Sequence, residues 1–198
     1  MSLPWTSGRR LGRTVTWWVL CLFLITLLVG CSGTSTDNGG TSTDTGQASA
    51  GTGKLDETSP PPWSLPADVS DRAAAAGLDL GPMGMAEHYH PQLQIVINGV
   101  PVPVPAGIGI DPSTGAMSSL HTHSSDGVLH IEADAAGEPF TLGQLFIEWG
   151  VKLTSTQIGG VHAKAGDKVT VTSNGKPVAG NPADLHLEPN QQIVLQLP

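Results

Sequence analysis

Residues 92–97, QLQIVI, alternate polar and apolar positions and place Leu93, Ile95 and Ile97 on one face of a predicted strand. Asn98-Gly99 follows. This dipeptide is favoured in two-residue hairpins because both central positions take a positive φ. Residues 100–110, VPVPVPAGIGI, return as a second extended segment. Its alternating prolines lack backbone donors, which predicts an edge strand. Residues 127–133, GVLHIEA, read as a further strand. The period then changes: Leu142, Leu145, Phe146 and Trp149 recur at helical spacing, Thr141 is placed to cap the helix, Gln144 completes a capping box and Gly150 ends it. Residues 168–179, KVTVTSNGKPVA, predict a hairpin around Asn174-Gly175, and 191–197, QQIVLQL, a closing strand.

Hairpin, helix, hairpin and last strand make an α+β order: one small domain with a helix packed on a mixed or antiparallel sheet. The order resembles the β-grasp folds, in which an initial hairpin precedes one helix and further strands. A histidine-rich hairpin within 111–133 then counts as an insertion. The globular domain is expected over 86–198, roughly 110 residues, enough for one core. Residues 63–85 connect to it and carry one short helix, with Ser70 as its cap, four alanines to propagate it and Gly77 to stop it.

The chain ahead of this reads differently. Residues 1–30 combine Arg9, Arg10 and Arg13 with an uncharged apolar run over 14–30, the pattern of a signal peptide. Leu28-Val29-Gly30-Cys31 resembles the lipobox of bacterial lipoproteins, which implies cleavage before Cys31 and attachment of lipid to its thiol. Arg9-Arg10 resembles the paired arginines of a twin-arginine export signal, and the residues after the pair depart from that motif. Residues 31–62 are mostly Gly, Ser, Thr, Asp and Ala, a composition that buries too little apolar surface to offset ordering entropy. They predict a flexible linker with a span of roughly 30 Å.

Charge and thiol content narrow the chemistry. With the leader removed, the basic residues are Lys54, Arg72, Lys152, Lys164, Lys168 and Lys176, facing all 17 acids. The absence of a basic stripe argues against a nucleic-acid partner. Cys21 leaves with the leader and Cys31 would be acylated, so any metal site must use His, Met, Asp or Glu.

All seven histidines fall after residue 87. His88-Tyr89-His90 and His121-Thr122-His123 are two His-x-His pairs, and on a strand positions i and i+2 face one side. A turn over 124–127 would bring His130 back to His121 or His123. Together these five offer the three or four nitrogen ligands that zinc or copper takes. Met83 and Met85 lie just upstream, either as extra thioether ligands favouring copper or as core filler. Glu132 shares a face with His130 as a candidate ligand, orienting group or, with Asp126, general base. His162 and His186 have no paired neighbour and are expected outside the cluster. The spacing of His121-Thr122-His123 to its acid does not fit a cupin, and GIGIDPSTG lacks the lysine of a phosphate-binding loop.

Taken together, residues 88–150 (HYHPQLQIVINGVPVPVPAGIGI, LHTHSSDGVLHIE, FTLGQLFIEWG) resemble a group of uncharacterised secreted or membrane-anchored prokaryotic proteins. The resemblance implies a domain grouping and carries no activity. The expected function is an extracytoplasmic, lipid-anchored lipoprotein of the bacterial cell envelope that binds copper or zinc through a histidine cluster. Its partners would be the membrane through Cys31, the metal ion and an envelope protein. The rival readings are a protein-interaction module without metal and a metal-dependent hydrolase.

Overall fold

The structure, a computed structural model, describes residues 54–198; the leader, Cys31 and the linker up to residue 53 lie outside the described residues. Helix α1 (Val69–Ala75) precedes strands β1 (Leu80–Gly81) and β2 (Glu87–Tyr89). Strands β3 (Gln92–Ile97) and β4 (Val100–Val102) form the first hairpin. Three short strands follow, β5 (Met117–Ser118), β6 (Leu120–His121) and β7 (His130–Ala133), ahead of helix α2 (Leu142–Trp149). Then come β8 (Leu153–Thr154), β9 (Gln157–Ile158), β10 (Val161–His162), β11 (Thr170–Ser173), β12 (Lys176–Val178), a 3₁₀ turn at Pro182–Asp184 and β13 (Gln192–Leu197).

Five strands make the main sheet in the order β12-β11-β13-β3-β4, with β13 parallel to β3 and the other pairs antiparallel. Parallel neighbours need a crossover connection, and α2 lies within it. The mixed α+β class and the β-grasp-like order of two hairpins about a central parallel pair therefore hold. Both hairpins turn where the Asn-Gly dipeptides predict, with φ of 50° and 78° at Asn98-Gly99 and 51° and 76° at Asn174-Gly175. The proline-bearing β4 is an edge strand, as a segment short of N–H donors must be. It stops at Val102, well short of residue 110.

The alternation places Leu93, Ile95 and Ile97 of β3 in one core with Ile193, Leu195 and Leu197 of β13 and the apolar face of α2. Helix α2 is bounded as its sequence dictates. Thr141 Oγ1 accepts from the Gln144 N–H and the Gln144 side chain accepts from the Thr141 N–H, the reciprocal box. At the other end Gly150 is left-handed, with its N–H on Ile147 O and that of Val151 on Phe146 O. Helix α1 ends in the same way: Gly77 N–H reaches Ala74 O and Leu78 N–H reaches Ala73 O. Its N-terminus departs from expectation. Asp68 occupies the cap position without a side-chain cap bond, and Ser70 falls inside the helix.

Residues 54–62, placed with the linker by composition, are part of the domain. The Asp56 N–H donates to Gly150 O at 2.6 Å and Asp56 O accepts from the Lys152 N–H at 3.0 Å. Arg72 donates to Lys54 O at 2.7 Å. Trp63 is buried edge-on against Trp149 with ring centroids 5.6 Å apart, and its Nε1 donates to Ser59 O. Backbone pairing with the end of α2 and a single aromatic anchor replace the apolar content this stretch lacks. Trp149 is itself only 1% exposed, so it offers no surface to an interaction partner.

Candidate metal centre

Strands β2, β7 and β6 form a small antiparallel sheet of their own. Its inner face is apolar: Leu120, Ile131 and Ala133 are fully buried. Side chains alternate across a strand, so the residues between them, His121 on β6 and His130 and Glu132 on β7, share the opposite face. His88 pairs with Glu132, and His121 with His130. Strand β7 thus receives one His-x-His pair from each side.

The predicted strand over 127–133 is shorter than expected: only 130–133 is a strand, and Val128 makes an isolated bridge to Gln92. The connecting loop is held against the start of β3 instead. The Leu93 N–H donates to Gly127 O at 2.8 Å and the Leu129 N–H to Pro91 O at 2.9 Å. Gln92 Nε2 also donates to Asp126 O. Gly127 has φ of 82° and sits so close to the Leu93 carbonyl that a Cβ would overlap it. Asp126 Oδ1 accepts from the Val128 N–H at 3.0 Å, and that backbone bond is the first cause holding its carboxyl below the usual range. Asp126 shapes this turn, which is a different task from that of a general base.

Four of the imidazoles meet pairwise through Nε2. His88 and His90 approach to 3.1 Å, and His121 and His123 to 3.0 Å. The ring of His130 lies between the pairs, with centroids 4.5 Å from His90, 4.7 Å from His123 and 5.4 Å from His121. Two groups result, His88-His90-His130 and His121-His123-His130. In each the ligand atoms all lie within 4.8 Å of one another, close enough to hold a metal ion. A tetrahedral ion with Zn–N bonds of about 2.0–2.1 Å spaces its ligand nitrogens roughly 3.3 Å apart, so the pair distances need little adjustment.

The inner pair is built more firmly than the outer. His121 is fully buried and its Nδ1 lies 2.8 Å from Ser118 O. A carbonyl only accepts, so Nδ1 carries the proton and the Nε2 lone pair faces His123. Thr122, between the two histidines, is buried as well. Its Oγ1 donates to Pro105 O at 2.8 Å and accepts from the Ile108 N–H at 3.0 Å. Its backbone bonds Gly107 N–H and Ile108 O. His88, His90 and His123 are all exposed, so His121 is the buried member of the two pairs. The outer pair's polar neighbour is Glu132, 7% exposed, with Oε1 3.4 Å from His88 Nε2.

Electrostatics favour the ligating form. Burial, ahead of the neighbouring charges, holds the His121 imidazole below its ordinary range. His130 is pulled down to about 4, first by burial and then by His90, His121 and His123. Near pH 7 both rings are neutral, as coordination requires.

The remaining sequence candidates divide. His162 on β10 and His186, just past the 3₁₀ turn, are both exposed and outside both groups. Met83 and Met85 are 46% and 93% exposed, so neither is core filler. Between them Gly84 donates to Glu132 O at 3.2 Å, which runs the segment alongside β7. Ser118, Thr122 and Gly127, which position the histidines, carry no sequence signal of that role, because each acts through a partner distant in the chain. Comparison with protein-family models, with curated proteins and with solved structures found no match to this chain.

Proposed function

We propose that this chain is an extracytoplasmic, lipid-anchored lipoprotein whose domain binds copper or zinc through His88, His90, His121, His123 and His130, buffering the ion or passing it to an envelope partner. The observation that supports it is the convergence of five imidazoles, on three strands and just past the ends of two of them, with two pairs of Nε2 atoms 3.0–3.1 Å apart. Glu132 beside His88 serves as an added ligand or as the group that orients it. Copper draws support from the exposed thioethers of Met83 and Met85, and zinc from the three-nitrogen sets. Membrane attachment rests on the lipobox-like residues ending at Cys31.

Two experiments test this reading. Untagged domain, titrated with Cu²⁺ or Zn²⁺, takes up metal at micromolar free concentration. Replacing His121 and His123 together with alanine abolishes that uptake, and His186→Ala leaves it intact. No uptake by the unaltered domain would hand the case to an interaction module without metal. Separately, Cys31→Ser releases the protein from membranes; continued tight association would mean an uncleaved anchor helix.

A further inference from the structure

The donors of the cluster outnumber the places around one ion. Five imidazoles and the Glu132 carboxylate make more ligands than a four-coordinate centre accepts. Their arrangement resolves the excess. Two nitrogens on one ion can be no farther apart than twice the bond length, about 4.2 Å for zinc. Among the described residues the histidines come within 4.8 Å of one another as two threes and not as one set of five, so a small closure of either three would seat an ion, and His130 belongs to both.

The two threes differ in ways that bear on kinetics. His121 is buried, its ring fixed by the Ser118 carbonyl, and its strand neighbour Thr122 is locked to 105–108. A ligand held in its bound orientation loses little entropy on coordination, which favours tight binding. His88 on β2 and His90 just after it both stand in solvent, where an incoming complex can reach them, whereas in the inner group His123 is exposed and His121 buried.

We propose that the cluster is a two-station site for a single transition-metal ion: His88, His90 and His130 capture it at the surface, and it passes to His121, His123 and His130 by exchange of ligand pairs while His130 stays bound. This rests on the metal-binding reading above and adds its order of events. His130 belongs to both groups, and in this scheme it serves one station at a time. The ion moves without ever losing all protein ligands, and no proton or electron need be exchanged with an outside reactant. A surface that collects an ion and a firmer seat that retains it are what a protein that takes metal from a donor molecule requires.

The test uses the folded domain and Zn²⁺ delivered as its complex with a chromogenic chelator, followed by absorbance for both rate and final distribution. Thermal melts show which variants are folded, and His186→Ala serves as the surface control. The expected stoichiometry is one zinc per chain. His88→Ala with His90→Ala lowers the transfer rate roughly tenfold and lowers the affinity by less than the rate. His121→Ala with His123→Ala lowers the affinity about 100-fold, more than the rate. His130→Ala lowers the affinity at least as far as the inner pair does. Two zinc ions per chain would overturn the shared station while leaving metal binding intact. So would an outer pair whose loss changes neither quantity, or changes affinity as much as the inner pair does. No uptake by the unaltered domain would overturn both this proposal and the reading beneath it.

Discussion

His121 and His130 sit directly opposite each other across the β6–β7 ladder, their rings stacked at 14° with centroids 5.4 Å apart. One is the buried member of the inner group and the other is common to both groups. The loop between them is fastened to β3, so the site's geometry depends on residues that touch no metal.

Thr122→Val keeps the shape of the side chain and removes its hydroxyl. That leaves the buried Ile108 N–H without its acceptor and Pro105 O without its donor. The expected loss of stability is about 1–3 kcal/mol in urea denaturation. Zinc affinity of the folded variant falls as well, because His121 and His123 lose the residue that holds them in register. An unchanged denaturation midpoint would show that Thr122 does not brace the loop.

Gly127→Ala tests the fastening itself. The position needs φ of 82° and has no room for a Cβ beside the Leu93 carbonyl. Strain and overlap together are expected to destabilise the domain by more than about 1 kcal/mol. Gly137 has a similar φ of 79° and open space around it, so Gly137→Ala carries strain alone and should cost less. Comparing the two melting temperatures separates overlap from strain; equal shifts would refute the close approach.

Glu148 on α2 is 1% exposed, and neither carboxyl oxygen has a hydrogen-bond partner among the described residues. Burial pushes its pKa from 4.5 up to about 8, and the nearby Ser118 hydroxyl offsets this only in part. Between those two values the folded chain holds a proton that the unfolded chain has released, so stability falls as pH rises through the window. Stability measured by urea denaturation from pH 5 to 9 should decline, and Glu148→Gln should flatten that slope. The same decline in the variant would place its origin elsewhere.

His130 predicts the opposite slope on the acid side for the metal-free protein. Its pKa is about 4 in the folded state against 6.5 for a free side chain. Below 6.5 the unfolded chain binds the proton first, so this contribution to stability is present above that pH and is lost as pH falls towards 4. His130→Asn, which cannot titrate here, should show a shallower loss over the same range. Adding Zn²⁺ should deepen the loss in the unaltered protein, because acid also removes the ligand.

Much of the main sheet was legible from the chain alone, for a local reason. Leu93, Ile95 and Ile97 alternate, Asn98-Gly99 and Asn174-Gly175 demand positive φ, and Thr141 with Gln144 caps a helix using residues three apart. Where local signals compete or are missing, the reading slipped. Residues 54–62 look like linker by composition, yet their backbone pairs with Gly150 and Lys152. Ser70 has the chemistry of a cap, but the helix begins before it.

The site divides the same way. Sequence by itself established which residues could ligate: two His-x-His pairs and His130, with no thiol in the domain to compete. Tertiary structure decided that β7 lies between the two pairs, that His121 is buried while His88 and His90 are exposed, and that the five histidines fall into two threes sharing His130. Periodicity along a strand tells which side chains share its face. Which strands become neighbours depends on contacts between residues far apart in the chain, such as Gly127 with Leu93 and Thr122 with Ile108, and no short window of sequence contains them.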